Sequence, residues 1–111
     1  MGDQTATARP GSVDKSPAPK RWWLYLLSCA DGRTYAGIAI DVAARYEAHL
    51  RGAGAKFTRS NRPTCILAAQ SFPSKGEALR AEHALKRLTR TARLSWAQQW
   101  SWPVDATKHE Q

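Results

Sequence analysis

The sequence predicts an α/β domain: a small three-stranded antiparallel or mixed sheet flanked by helices, in the order β-β-α-β-α-α. Three observations lead there. Two runs rich in aromatic and branched residues flank Asp31-Gly32, a hairpin turn signal. Ser74-Lys75-Gly76-Glu77 is a capping box opening a stretch of helical period. Between them, Thr64 to Gln70 is a nearly continuous apolar run of strand length. A sheet with helices packed on it satisfies that order.

The first strand is Trp22 to Ser28, whose residue types favour a pleated, half-buried surface. The second is Thr34 to Ile38, and Gly37 inside it marks a bulge or the close approach of another group. Register decides where Tyr25 and Tyr35 point. A two-residue loop at Asp31-Gly32 would set Tyr25 opposite Ile38 and leave Tyr35 on the other face. An odd-length loop or a bulge puts both on one face, because side chains alternate with a period of two. Asp41 is a good N-cap for a short helix, Val42 to Arg51, closed by Gly52. Val42, Tyr46 and Leu50 form its apolar stripe, with His49 beside the stripe and Arg45 at its edge. Gly52 to Arg62 reads as a loop or irregular turn. Thr64 to Gln70 reads as a central strand, and Pro63 before it is tolerable at a strand start. The capped helix runs from Lys75 to about Leu88, with Ala78, Ala81, Leu85 and Leu88 facing inward. Thr89 to Trp100 is a further helix, stopped by Pro103. Its Trp96 and Trp100, one turn apart, are expected to cover the core.

Residues 1–20 are expected to be a disordered arm. They hold Pro10, Pro17 and Pro19, with only Met1 and Val13 as sizeable apolar side chains, too little burial to offset ordering entropy. They contain no apolar run of secretory-signal length, and Asp3 and Asp14 argue against a transit peptide. Residues 21–100 are the domain and 101–111 a polar tail. The longest apolar runs, near 22–27 and 65–69, fall far short of the ~20 residues of a membrane span. Cys29 and Cys65 form no Cys-x-x-Cys pair, and with three scattered histidines they make no zinc pattern. They read as reduced, buried thiols of a cytoplasmic protein.

Charge is informative by its position. The chain carries +8, and residues 21–100 hold thirteen basic against five acidic side chains, so all of the net charge lies in the domain. A basic domain favours a polyanionic partner. Lys56, Arg59 and Arg62 form a basic loop, and Arg80, Lys86, Arg87, Arg90 and Arg93 line the last helices. Such groups position a nucleic acid through its phosphates without reading sequence.

Glu82 lies between Ala78 and Leu85 in helical projection, on an apolar face. A lone carboxylate there needs a partner. Either it pairs with a nearby Arg, or the helix is rotated enough to expose it, or it holds Mg²⁺, which takes one or two carboxylates plus waters and substrate phosphate. Arg45 and His49, four residues apart, share one side of the first helix. They are either a solvated helix edge or groups for phosphoryl chemistry, since Arg forks onto phosphate oxygens and can stabilise a pentacovalent phosphorus. Tyr25 and Tyr35 are either core aromatics or part of the same site. A phenol near pKa ~10 is a poor base unless a neighbouring charge lowers it.

The ordered set resembles the GIY-YIG nuclease family. Trp23-Leu24-Tyr25 stands for Gly-Ile-Tyr and Tyr35-Ala36-Gly37 for Tyr-Ile-Gly. Arg45, His49, Gly52-Ala53-Gly54-Ala55-Lys56 and Ala78-Leu79-Arg80-Ala81-Glu82 follow in order. Roughly residues 21–95 are covered, closely similar to the small standalone bacterial members. The resemblance implies a metal-dependent endonuclease acting on DNA, or alternatively RNA, with Mg²⁺ or Mn²⁺ on Glu82. Arg45 would act at the phosphoryl oxygens, and His49 would contact phosphate or orient water. Tyr25 or Tyr35 would activate or position the attacking water. Lys56, Arg59, Arg62, Lys86 and Arg90 would contact nucleic acid. One departure is the late asparagine often found in the family; the only asparagine here, Asn61, precedes the third strand. The rival readings are a non-catalytic nucleic-acid-binding module and a nuclease subunit that needs a partner protein.

Overall fold

The structure is a computed structural model that describes residues 20–102. The arm expected over 1–20 and the tail expected over 101–111 lie almost wholly outside the described residues, as does Pro103. Strand β1 (Trp22–Cys29) is the middle of a three-stranded sheet. It is paired antiparallel on one side with β2 (Thr34–Ala39) and on the other with β3 (Pro63–Phe72). The sheet is therefore antiparallel throughout.

The hairpin has an odd loop. Cys29 N–H donates to Arg33 O and Gly32 N–H to Cys29 O, each at 2.9 Å, leaving Ala30-Asp31-Gly32 as a three-residue connection. Gly32 takes the left-handed position at φ 90°, the form this loop length favours. Tyr25 consequently faces Gly37, and Tyr35 faces Leu27, so both tyrosines lie on one side of the sheet. The Asp31 carboxylate accepts from Arg33 N–H at 2.9 Å, Asn61 Nδ2 at 2.8 Å and Arg33 Nε at 2.7 Å. Those bonds hold its pKa down at about 2. Asn61 thus clamps the hairpin turn to the segment before β3.

Helix α1 (Val42–Leu50) begins where the Asp41 carboxylate accepts from Ala44 N–H at 3.0 Å. The expected loop after it contains a short helix, α2 (Lys56–Ser60). Five residues are too few to show an apolar period, so only its tertiary contacts reveal it. Helix α3 (Lys75–Lys86) starts at Ser74, whose hydroxyl accepts from Glu77 N–H at 3.2 Å and donates to the Glu77 carboxylate at 3.1 Å. Helix α4 (Arg90–Gln99) is capped by Thr89.

Two apolar layers enclose the sheet. Leu24, Leu26, Ala36 and Ala68 meet Leu85 of α3 and Ala97 of α4, with Ala81 and Trp96 packed against them. On the opposite face Tyr25, Leu27, Ala39 and Ala69 meet Val42 of α1, with Tyr35, Tyr46 and Trp102 alongside. Strand β1 feeds both layers and is the central strand. β3, expected to be central, is an edge in the sheet order. Its apolar run is explained by the chain after α4, which covers it. Ala69 N–H donates to Trp100 O at 3.0 Å and Trp102 N–H to Leu67 O at 3.1 Å.

Three further expectations are corrected. α3 ends at Lys86, so Leu88 sits in the following turn, exposed, its carbonyl held by Arg93 Nη1 at 2.6 Å. Trp100 caps the C-terminus of α4 and is 41% exposed; Trp96 alone of that pair joins the core. Cys65 is exposed on the edge strand, whereas Cys29 is buried; both are free thiols.

Candidate active site

The site grows from the register of the hairpin. Tyr25 projects from β1 over Gly37, where a Cβ would stand 2.5 Å from the Tyr25 hydroxyl and 3.2 Å from the Tyr35 ring. The glycine in β2 therefore permits a close approach. From the last turn of α1, His49 enters the same layer and is 1% exposed. Its ring lies against Gly54, where a Cβ would overlap the imidazole. His49, expected beside the apolar stripe of α1, is in fact more buried than Tyr46 or Leu50. Both of its nitrogens have partners, which is what lets it be buried.

Those partners define its protonation. Tyr25 Oη lies 2.9 Å from His49 Nε2, and His49 Nδ1 lies 2.7 Å from Thr58 Oγ1. The Thr58 hydroxyl also reaches Ala55 O at 2.9 Å, and with its single proton on that carbonyl its oxygen is left to accept from His49. In that arrangement Nδ1 carries the imidazole proton, Nε2 is the acceptor, and the Tyr25 hydroxyl donates to it. Burial, and secondly the nearby Arg45 cation, push the His49 pKa down, keeping the ring neutral. Burial pushes the Tyr25 phenol up to about 12; Arg45 counters part of that rise, and the charge of Glu82 adds to it. Tyr35 packs edge-on to His49 with centroids 5.2 Å apart and stacks on Phe57 at 5.9 Å, while Arg33 lies 5.0 Å over the other ring. The fold thus brings Tyr25, Tyr35, Arg45 and His49 together.

Glu82 approaches from α3 and is 13% exposed, paired with Lys86 at 3.1 Å. Among the described residues, no group of three or more His, Cys, Asp or Glu side chains could hold a metal. A lone carboxylate does not suit zinc, which needs three or four protein ligands. It does suit Mg²⁺ or Mn²⁺, which keep their waters and take substrate phosphate as the other ligand. A cleft of about 270 Å³ beside the pair is lined by Thr34, Tyr35, Ala36, Phe57, Lys86 and Arg93.

The candidate phosphate contacts are dispersed, and several have intramolecular partners. Arg62 Nη2 donates to Leu50 O and Arg90 Nη2 to Gly32 O, each at 3.1 Å. Lys56 and Arg59 are exposed beside the site on α2. The sequence reading missed Thr58 and Phe57, because the segment carrying them read as a loop. Gly54 did stand out in the glycine-rich string before it.

The family model described as the GIY-YIG catalytic domain matches residues 21–95. A UPF0213 protein of Xanthomonas axonopodis pv. citri is 52% identical over 81 residues, covering 73% of this chain and 79% of that one. A UPF0213 protein of Cupriavidus pinatubonensis is 47% identical over 77 residues, covering 69% and 86%. The solution NMR structure of a protein from E. faecalis matches with TM-score 0.52 at 33% identity, covering 72% of this chain and 85% of that chain.

Proposed function

The chain belongs to the GIY-YIG family, and from that premise we propose that it is a metal-dependent endonuclease. It hydrolyses phosphodiester bonds in DNA, with RNA as the second substrate class. The observation that carries this reading is the hydrogen-bond chain from Tyr25 through His49 to Thr58. A phenol held near pKa 12 is a poor base by itself. Next to the neutral Nε2 of His49 it is a proton bridge. As water attacks phosphorus, its proton passes to the Tyr25 oxygen while the Tyr25 proton moves to Nε2. The bond to the leaving oxygen breaks, and that oxygen takes a proton from solvent. Tyr25 ends neutral and His49 ends as imidazolium, with Nδ1–H still on Thr58. Tyr35 holds the imidazole edge and frames the cleft. Arg45 serves the phosphoryl oxygens with its planar guanidinium fork. Mg²⁺ or Mn²⁺ held by Glu82 supplies Lewis-acid stabilisation of the developing oxyanion charge.

Lys56 and Arg59, with the +8 of the chain, supply the attraction for a polyanion. The cytoplasm is the compartment that suits two free thiols. Among the described residues no helix is long and apolar enough to cross a membrane.

The test is incubation with labelled DNA and RNA panels in Mg²⁺, Mn²⁺ or EDTA, with Glu82→Gln beside the wild type. Metal-dependent cleavage that falls by roughly two orders of magnitude in the variant is expected. Binding without cleavage in every condition would replace this reading with a binding module. Cleavage that begins only when a second protein is added would make the chain a subunit.

A further inference from the structure

The acid available to a cation is already neutralised in the folded chain. Lys86 Nζ stands 3.1 Å from Glu82 Oε2, and the two ends of the pair differ in surroundings: the glutamate side chain is 13% exposed, the lysine 50%. The carboxylate is held within the protein, and the ammonium can swing outward on its flexible stem. Lys86 also lines the cleft with Tyr35, Phe57 and Arg93. Arg93 is fixed there, with Nε donating to Thr34 Oγ1 at 3.2 Å and Nη1 to Leu88 O at 2.6 Å. Phe57 and Tyr35 give the cleft an aromatic wall. Two cations beside the edges of this aromatic pair complement a nucleotide, with apolar surface for its sugar and base and charge for its phosphate.

We propose that this cleft is a nucleotide subsite, and that a phosphate seated there draws Lys86 off Glu82, so that the divalent cation binds more tightly with substrate in place. The proposal rests on the reading of Glu82 as metal ligand. An ammonium group and a hydrated dication compete for the same two oxygens and repel each other. In the free chain a cation must therefore displace Lys86 without compensation. With a phosphate in the cleft, Lys86 gains a second anionic partner and the cation gains a further oxygen ligand. The two binding events are then linked, and each strengthens the other by the same factor.

The experiment measures Mn²⁺ binding to the full chain from the paramagnetic resonance signal of the free ion. It is run with and without thymidine 3′,5′-bisphosphate, which carries a base and two phosphates and no internucleotide bond. Glu82→Gln run in parallel supplies the binding that owes nothing to Glu82. In the wild type the Glu82-dependent affinity should rise roughly tenfold when the bisphosphate is added. In Lys86→Met the free protein should already bind Mn²⁺ more tightly than wild type by roughly fivefold or more, with the gain from bisphosphate reduced to match. Lys86→Arg, which keeps the cation, should follow the wild type, and thermal melts establish that each variant is folded. A folded Lys86→Met protein that binds Mn²⁺ no more tightly than wild type overturns the gate, while Glu82-dependent binding leaves the metal reading standing. Absence of any Glu82-dependent binding, with or without the bisphosphate, removes the metal reading and the gate together.

Discussion

Thr58→Val is the perturbation that tests the proton path most directly. Valine matches threonine in shape and removes only the hydroxyl. Ala55 O loses one donor but keeps the backbone N–H groups of Thr58 at 3.1 Å and Arg59 at 3.2 Å. The cost therefore falls on His49, whose Nδ1–H loses its partner in a site where the ring is 1% exposed. A buried donor left unpaired costs about 1–3 kcal/mol. For a domain of this size each kcal/mol moves the melting temperature by about 4–8 °C, so the variant should melt lower by about 4–24 °C. The ring has one escape, which is to move its proton to Nε2 and donate to Tyr25. That recovers part of the stability and removes the acceptor from the path, so cleavage should fall by about two orders of magnitude, the scale of a lost general base. Nitrogen-15 NMR of the imidazole reads the tautomer directly, alongside circular-dichroism melts and a cleavage time course. Thr58→Ser should behave like wild type in all three. A wild-type proton on Nε2, or a Thr58→Val protein as stable and active as its parent, would refute the assignment.

Stability should fall as pH drops below about 6.5, the ordinary histidine value. Burial depresses the folded-state pKa of His49, so between those two values the unfolded chain binds the extra proton. That contribution is complete above the unfolded value, is lost as pH falls towards the folded one, and should be missing from melts of His49→Gln. Asp31, held at about 2 against a usual 3.8, adds a separate loss across that lower window. Arg45→Lys should impair cleavage nearly as much as Arg45→Ala, because lysine lacks the planar fork; retention of most activity by the lysine variant would reduce Arg45 to a general charge. Nucleic-acid affinity should drop steeply and linearly on a log–log plot against salt, with little sequence preference. A flat salt response measured by fluorescence anisotropy would contradict the phosphate-contact reading.

What the sequence made legible follows from what each signal measures. The turn glycine, the caps at Asp41 and Ser74 and the apolar runs report local preference, and these elements formed where expected. The shared face of Tyr25 and Tyr35 required a loop length that Asp31-Gly32 alone leaves open; Cys29 pairing with Arg33 decided it. β3 read as central because its apolar run signals burial, and burial is indifferent to whether a strand or the backbone of residues 100–102 supplies the cover. Thr58 gave no signal, since its role depends on a five-residue helix formed by tertiary contact. Glu82 and Lys86 stood at the spacing of a helical ion pair, but charge excess drew Lys86 into the nucleic-acid set. Only the 3.1 Å contact revealed its other allegiance.

The two halves of the site also differ in how they open. Tyr25 belongs to a strand hydrogen-bonded on both sides, so its amide should exchange with solvent only when the whole domain unfolds. Leu85, on the turn between Glu82 and Lys86, is buried in the core, so that turn is anchored with the fold and the Glu82 carboxylate stays where the sheet and helix place it. Lys86, half exposed, is the member of the pair that can move. Ion exchange and proton transfer thus run on separate clocks, one set by the rotamer hops of a single lysine stem and the other by a strand that opens only with the fold.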